Sequence, residues 1–505
     1  MFHDAEEFNR NEVPETYRQA INCSDKEKWM KAMQEEIESF EENNVWELVD
    51  KPKDSEVVGT EWVYKLKRDP GGKIERYKAR LVAKGFTQRE GIDFEDTFSP
   101  VVRHSTMRLL FALAAKFDLE IIHQEVTTAF LNGDLKETLF LKPLEGMNVP
   151  ANKIFKLKKA IYGLKQSARS WNEEAHTILI TLGYKQSQYE PCVYFKKLDG
   201  KIIIIALYVD DFFIFHSHKK EADKLRSELV KIFKLRDLGE IRLNHKNYIL
   251  NLLKQYNMED CKPVSTPISD LKPLLTSDIP HEENLVKPYQ QLIGSLLYLA
   301  VTSRPDIAYA VTFLSQFNTK PTSKHFGAAK RILRYLKGSS NFSLCYRKSN
   351  EDIIGFSDAD WANNCPERKS FSGNVFMYSN AAISWECHKQ STTSLSSTEA
   401  EYISLSDASK EAIYLKSLLG ELIDRSGAIL INCDNQSALN LSENPILHRR
   451  TKHIDVKYHF IREQIKNKNI KVSHVPDEEM IADALRKPVP APKLNFCVKG
   501  FGLIN

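Results

Sequence analysis

At 505 residues the chain exceeds what one hydrophobic core usually supports, which predicts at least two domains. Hydrophobic residues at 42%, aromatics at 10% and only 20 Gly and 20 Pro exclude collagen-like, mucin-like and wholly disordered chains. A net charge of +4, the near cancellation of 71 basic and 67 acidic side chains, decides nothing by itself, so an affinity for nucleic acid must rest on local clusters.

The N-terminal segment is acidic and polar, unlike a signal peptide, and residues 1–25 read as a tail. Trp29, Met33, Ile37 and Phe40 recur at helical spacing, and residues 61–68 then alternate with Trp62, Tyr64 and Leu66 on one side. Asp69-Pro70-Gly71-Gly72 is a turn signature, and the strand beyond it carries Arg76, Lys78 and Arg80 on one face. Two apolar runs, Ile202–Leu207 and Phe212–Phe215, flank Tyr208-Val209-Asp210-Asp211 and predict a hairpin. The first run is too short to span a bilayer, so no membrane partner is expected.

Helical spacing returns over Lys219–Phe233, and the polar, Pro-containing stretch Asp270–Glu283 reads as a linker with a boundary near 270. Tyr289–Leu336 predicts a helical module interrupted at Arg304-Pro305. From Ile353 the pattern becomes short strands, Ile353–Ser357, Gly373–Tyr378 and Ala382–Glu386, then a long helix for which Thr398 and Glu401 supply a capping box. Strands at Ile429–Cys433 and Ile470–Val475, each followed by a helix, complete a mixed α/β pattern. The eight cysteines form no C-x-x-C pair, which argues against a disulfide framework or zinc knuckle and for a reducing, intracellular setting.

Paired acids between two apolar strands present adjacent carboxylates at a buried turn. Mg²⁺ and Mn²⁺ prefer such oxygen ligands, and two ions about 3.5 to 4 Å apart stabilise both the attacking and the leaving oxygen of phosphoryl transfer. Tyr208-Val209-Asp210-Asp211 therefore predicts a metal site.

Four strings of the first half stand in a telling order: Arg76 to Phe86, Thr128-Ala129-Phe130-Leu131-Asn132-Gly133, Ile161-Tyr162-Gly163-Leu164-Lys165-Gln166 and Tyr208-Val209-Asp210-Asp211. Ser357-Asp358-Ala359-Asp360-Trp361, Ser397 to Tyr402, Asp434-Asn435-Gln436 and Lys452-His453-Ile454-Asp455 follow. Together they resemble the reverse transcriptase and RNase H region of copia-type long-terminal-repeat retrotransposon Pol polyproteins.

The resemblance implies a multidomain α/β (α+β) chain: right-hand polymerase fingers and palm over 26–269, linker and helical connection over 270–350, an RNase H-like mixed-sheet domain over 351–488, and a tail over 489–505. It implies two Mg²⁺ (or Mn²⁺) ions per active site. In the polymerase, the first metal ligand falls at Glu125, beside Asp210 and Asp211. Lys78 and Arg80 match residues that hold the incoming nucleotide triphosphate, and Gln166 matches one lining its pocket. Phe130 matches the gate that rejects a ribose 2′-hydroxyl, although composition alone suits it equally to plain core.

In the nuclease, Asp358, Glu399, Asp434 and Asp483 match the metal-binding tetrad, with Asp360 and Glu401 as rival assignments two residues away. The basic residues between His448 and Lys471 suit a phosphate backbone. His453 and His459 lack the i, i+4 zinc spacing.

Three departures stand out. Glu125 occupies the place of the family's aspartate, the chain passes from Asp237-Leu238-Gly239-Glu240-Ile241 almost directly to Arg242-Leu243 without the primer-grip-like hairpin, and Arg486 stands where relatives usually carry threonine. The first two predict impaired synthesis, leaving hybrid cleavage as the surviving activity, with a decayed or co-opted non-catalytic RNA/DNA-binding protein as the alternative.

The implied partners are an RNA template, a DNA primer, RNA/DNA hybrid, dNTPs and the other polyprotein parts: protease, integrase and capsid. Neither protease nor integrase segments are visible, so a processed fragment or a truncated copy is expected, in the cytoplasm, in virus-like particles or in the nucleus.

Overall fold

Period-two patterning, helical spacing and turn residues divide the chain as the physics of local burial requires, and a computed structural model describes the result for residues 13–52, 57–68, 73–147, 149–233, 235–237, 244–269, 271–275, 282–361, 368–443 and 455–505. The expected turn at 69–72, residues 238–243 where the resemblance led to the expectation of a lost hairpin, most of the expected 270–283 linker and the basic residues Arg449, Arg450 and Lys452 lie outside these ranges. Contacts divide the chain into two units, one formed by residues up to Val102 with Ile121–Glu240, the other by Arg103–Glu120 with Ile241–Asn505.

In the first unit the helix Lys26–Glu42 buries Trp29, Met33 and Phe40 against the antiparallel pair Thr60–Arg68 and Ile74–Ala83. Trp29 meets Tyr64 and Tyr77 edge-on, with ring centroids 5.3 and 4.8 Å apart. A six-stranded sheet follows, in the order Leu235–Asp237, Glu120–Val126, Asp211–His216, Lys201–Tyr208, Val193–Leu198, Lys185–Gln186. The helix Ser167–Thr181 covers it, burying Trp171, Ala175 and Leu179 against Phe212, Ile214 and Leu229.

Gly163 fixes how the 161–164 loop meets the strand Ile74–Ala83. It sits at φ +91°, and a Cβ there would lie 2.1 Å from the Ala83 carbonyl oxygen. This close approach lets the Ala83 amide donate to the Tyr162 carbonyl at 2.8 Å.

In the second unit a five-stranded sheet runs Ala381–Lys389, Phe371–Tyr378, Ile354–Ala359, Ile429–Cys433, Ile470–His474. The first three strands pair antiparallel and the last two join in parallel. This three-two-one-four-five order is the RNase H-like mixed sheet that the family resemblance implied. The helix Ser397–Ile423 crosses the sheet and buries Tyr402, Leu405, Leu415 and Leu419. The connecting helices Glu283–Thr302, Ala308–Ser315 and Ser323–Gly338 share one continuous core with strand residues Phe371 and Val375. Between them Arg304 binds Asp306 through two hydrogen bonds of 2.9 and 2.7 Å, with Tyr335 donating to the same carboxylate at 2.7 Å.

The structure departs from the sequence reading in four places. The helix His104–Phe117 groups with the second unit, where Arg108 donates to the carbonyls of Ile383 and Val301 at 2.7 and 2.8 Å. Residues 489–505 are not a tail: Leu494, Cys497 and Val498 bury one face of the helix Ala491–Gly500, and Leu503–Ile504 pairs with Ser343–Leu344. Residues 13–25 hold a short helix, Tyr17–Asn22, capped by Thr16. Finally, the long helix is capped by Ser396, whose hydroxyl accepts from the Glu399 amide at 3.2 Å, two residues earlier than the Thr398–Glu401 box.

Gly163→Ala is expected to lower the stability of the first unit by about 2 kcal/mol or more, because the new methyl collides with backbone at an unfavourable φ. Denaturant unfolding measures it, and an unchanged midpoint would contradict the packing described here.

Candidate functional site

Two groups of carboxylates stand out, one in each unit. In the first, the strands Lys201–Tyr208 and Asp211–His216 pair Tyr208 with Asp211, leaving Val209 and Asp210 as a two-residue turn. Val209 lies at φ +55°, a conformation that costs a β-branched residue about 1–3 kcal/mol. Two hydrogen bonds hold the turn: Trp171 Nε1 donates to the Val209 carbonyl at 2.6 Å, and the Val126 amide donates to the Asp210 carbonyl at 2.8 Å. The second bond sets Glu125, one residue earlier, beside the turn.

Glu125 and Asp211 thus lie on neighbouring strands of one sheet, with Asp210 in the adjoining turn. Burial pushes the Asp210 carboxyl above its ordinary range, and the negative charges of Asp211 and Glu125 push it the same way. Asp211 has a neighbour that sequence reasoning missed. His123, two residues before Glu125 and on the same strand face, lies with Nε2 3.0 Å from Asp211 Oδ1, its ring stacked on Phe213 at 4.2 Å. The i, i+2 spacing from Glu125 was the available signal.

Of the cationic strand, Lys78 and Arg80 face this group while Arg76 is spent on an exposed ion pair with Glu35 at 2.9 Å. Burial, with the neighbouring Arg80 and Lys67 charges, lowers Lys78 to about 8, against the opposing pull of Glu125. The Arg80 guanidinium stacks 3.7 Å over the Tyr162 ring, which packs on Phe130 at 4.7 Å. Phe130 thus lies between Tyr162 and the hydrophobic core beneath the six-stranded sheet, against which it packs partly buried. Gln166 is buried, and its amide is occupied: it donates to the Asp93 carbonyl at 2.9 Å and accepts from Gln88 at 3.1 Å.

In the second unit, Asp358 lies in the central strand and is fully buried, Asp434 follows the strand Ile429–Cys433, and Asp483 sits in the short 3-10 helix Ile481–Leu485. Gly373, register partner of Asp358, admits that short helix: a Cβ would meet Leu485 Cβ at 2.7 Å.

The glutamate that joins these aspartates is Glu401, not Glu399. Residues two apart on an α-helix point about 200° apart, so both cannot face the strand. Glu401 accepts from the Ala359 amide at 3.1 Å, and its carboxylate lies within 4.8 Å of the ligand atoms of Asp434 and Cys433. Glu399 instead turns back to accept from the Leu395 amide at 2.8 Å, as a helix-capping carboxylate does. The other rival, Asp360, accepts from the Phe371 amide.

Burial raises Asp358, Glu401 and Asp434 above the usual carboxylate range, and neighbouring acids add to it: Asp434 and Asp483 for Asp358, Asp358 and Asp434 for Glu401, Asp483 and Asp477 for Asp434. Asp483 moves the other way: burial would raise it, but Arg486, Lys487 and Lys493 outweigh that and hold it low. Arg486 bridges two of the acids, with Nε on Asp358 Oδ2 and Nη2 on Asp483 Oδ1, the latter at 2.9 Å. Lys487 also reaches Asp483 Oδ1, and Lys493 Nζ lies 3.1 Å from Asp483 Oδ2. Among the basic residues of the 448–471 segment that are described, Arg462 donates to the Leu441 carbonyl at 2.8 Å, while Lys466, Lys468 and Lys471 are exposed.

Residues 43–270 match the family model of reverse transcriptase, the RNA-dependent DNA polymerase. The chain is 40% identical to the retrovirus-related Pol polyprotein from transposon TNT 1-94 of Nicotiana tabacum, over 97% of its own length and 39% of that relative. It therefore spans about two fifths of that polyprotein. It is 31% identical to the transposon Ty5-1 protein of Saccharomyces cerevisiae, over 57% of this chain and 99% of that protein. A foamy viral protease-reverse transcriptase solved with double-stranded DNA aligns over 89% of this chain and 70% of its own, with a TM-score of 0.47 and 13% identity. Among the described residues no helix is long and apolar enough to cross a membrane. The chain belongs to the copia-type retrotransposon Pol polyprotein family and carries that family's reverse transcriptase domain.

Proposed function

We propose that the chain is an RNA-directed DNA polymerase with ribonuclease H activity, synthesis being impaired and cleavage of the RNA strand of a hybrid retained. One observation carries the reading: each unit gathers carboxylates from neighbouring elements into a partly buried pocket, and in the first these face Lys78. Buried like charges repel, so such pockets gain stability from a bound cation.

The donors suit hard ions. Glu125, Asp210 and Asp211 offer oxygen alone, as do Asp358, Glu401 and Asp434, one of whose oxygens, Asp358 Oδ1, is buried without a hydrogen-bond partner among the described residues. The nearby Cys433 is pushed up by burial and stays a thiol, so the group favours Mg²⁺ or Mn²⁺ over zinc. Bound there, such ions activate the attacking oxygen and neutralise the leaving one.

The chain's own residues do the rest. Lys78 and Arg80 bind the triphosphate of a dNTP, Tyr162 orienting the Arg80 guanidinium by stacking. Phe130 narrows the pocket on the sugar side, whereas Gln166 positions the 88–93 loop rather than a ligand. His123 holds the Asp211 carboxylate in place. The template, primer and hybrid would lie along the exposed lysines of each unit, in the setting of the longer polyprotein.

Glu125 adds one methylene to a ligand set that tolerates about 0.5 Å of displacement. Glu125→Asp is expected to raise single-nucleotide extension on a primed RNA template about tenfold or more, and a parent chain that already extends as fast as the variant would refute the impairment. Lys78 binds phosphate only while charged, so kcat/KM for the nucleotide in the Glu125→Asp background should fall above pH about 8. Lys78→Arg should carry that limb beyond pH 10, and an unmoved limb would remove Lys78 from the role. On a labelled RNA/DNA hybrid, Glu401→Gln should cut cleavage about a hundredfold or more, while Glu399→Gln leaves it within about threefold. Equal losses would sink the assignment of Glu401, and no cleavage by the parent would favour a non-catalytic hybrid binder.

A further inference from the structure

We infer that Arg486 stands in for one divalent cation between Asp358 and Asp483, so that this pocket takes a single metal ion, held by Asp358, Glu401 and Asp434. The inference rests on the metal-binding reading above and concerns how many ions that site admits. Arg486 is well buried, its side chain 12% exposed, and its guanidinium donates to Asp358 through Nε and to Asp483 through Nη2. One planar cation bridging two buried carboxylates occupies the place that a bridging ion would need.

Local geometry explains how it gets there. Residues three apart in a 3-10 helix eclipse one another, so Arg486 projects over Asp483 at the end of Ile481–Leu485. The close approach of that helix to Gly373 then sets the side chain within reach of Asp358. The threonine expected from the family resemblance is too short to span the two acids.

Charge points the same way. Asp358, Glu401, Asp434 and Asp483 face Arg486, Lys487 and Lys493. Counting Asp477, 4.0 Å from Lys487 Nζ, five ionised carboxylates against three cations leave two negative charges, which a single divalent ion neutralises. A second ion would make the pocket strongly positive unless Arg486 left it. The two sides of the pocket differ accordingly: Asp483 has all three cations on its carboxylate, whereas among the described residues Asp358 Oδ1 is buried with no hydrogen-bond partner and no cation is paired with Glu401 or Asp434.

The test counts bound Mn²⁺ by titration calorimetry and electron paramagnetic resonance on the full chain carrying Glu125→Gln, Asp210→Asn and Asp211→Asn, which silences the other pocket. That chain should bind one Mn²⁺. Adding Arg486→Thr, or the neutral Arg486→Gln, should raise the count to two, whereas Arg486→Lys should leave it at one. Without metal the neutral variants should melt lower than the parent, since Asp358 loses its ion-pair partner and Asp483 one of its three, and Mn²⁺ should restore them by a larger shift than it gives the parent. Two ions bound before Arg486 is changed, or still one after, would overturn the inference while leaving the metal reading intact. No Mn²⁺ bound in any chain, with Glu401→Gln making no difference, would overturn both.

Discussion

Carboxylates cannot be gathered in a low-dielectric pocket without something positive among them, and both halves of this chain are organised around that constraint. In the first unit the answer is partial. Lys78 acts on Glu125 and Arg80 on Asp210 from a distance, yet Asp210 remains pushed toward its neutral form. In the second unit the answer is lopsided: three cations pair with Asp483, whereas among the described residues none pairs with Glu401 or Asp434, on which Arg486 acts only from a distance. The chemistry proposed for each pocket follows from the charge left uncompensated.

Positioning of these acids depends on a few backbone contacts. A left-handed Val209 turns the hairpin so that Asp210 meets the Glu125 strand, and the Trp171 indole and Val126 amide hold it there. Gly163 and Gly373 admit close packing where a methyl group would collide, one setting Tyr162 beneath Arg80, the other setting Asp483 and Arg486 beside Asp358. Strain and close approach therefore concentrate beside the carboxylates, where geometry has to be held most tightly.

Much of this was legible in the sequence because local patterns carry it. The two apolar runs flanking Asp210 and Asp211, the helical spacing of Trp29, Met33 and Phe40, and the three strands and long helix after Ile353 are all found, with strand ends shifted by up to about three residues. What sequence alone mistook is more instructive. The sequence offers Thr398-x-x-Glu401 as a capping box, while the family resemblance assigns the metal ligand to Glu399 with Glu401 as its rival. The helix starts two residues earlier, so the two glutamates exchange places: Glu399 serves the cap and Glu401 faces Asp358. The bridge from Arg486 was hidden because it joins residues 128 positions apart, and the C-terminal helix because its apolar face is short and matched only by a distant core. Gln166 was placed in the pocket by resemblance, while burial gives its amide to the 88–93 loop.

The central claim is that the two acid groups are cation sites. Crystals of the full chain grown with Mn²⁺, examined by anomalous scattering at the manganese edge, address it directly. The account predicts density between Glu125 and Asp210 and a further peak among Asp358, Glu401 and Asp434, with the Arg486 guanidinium still between Asp358 and Asp483. Manganese absent from both acid groups, with their carboxylates satisfied by protein side chains alone, would contradict it.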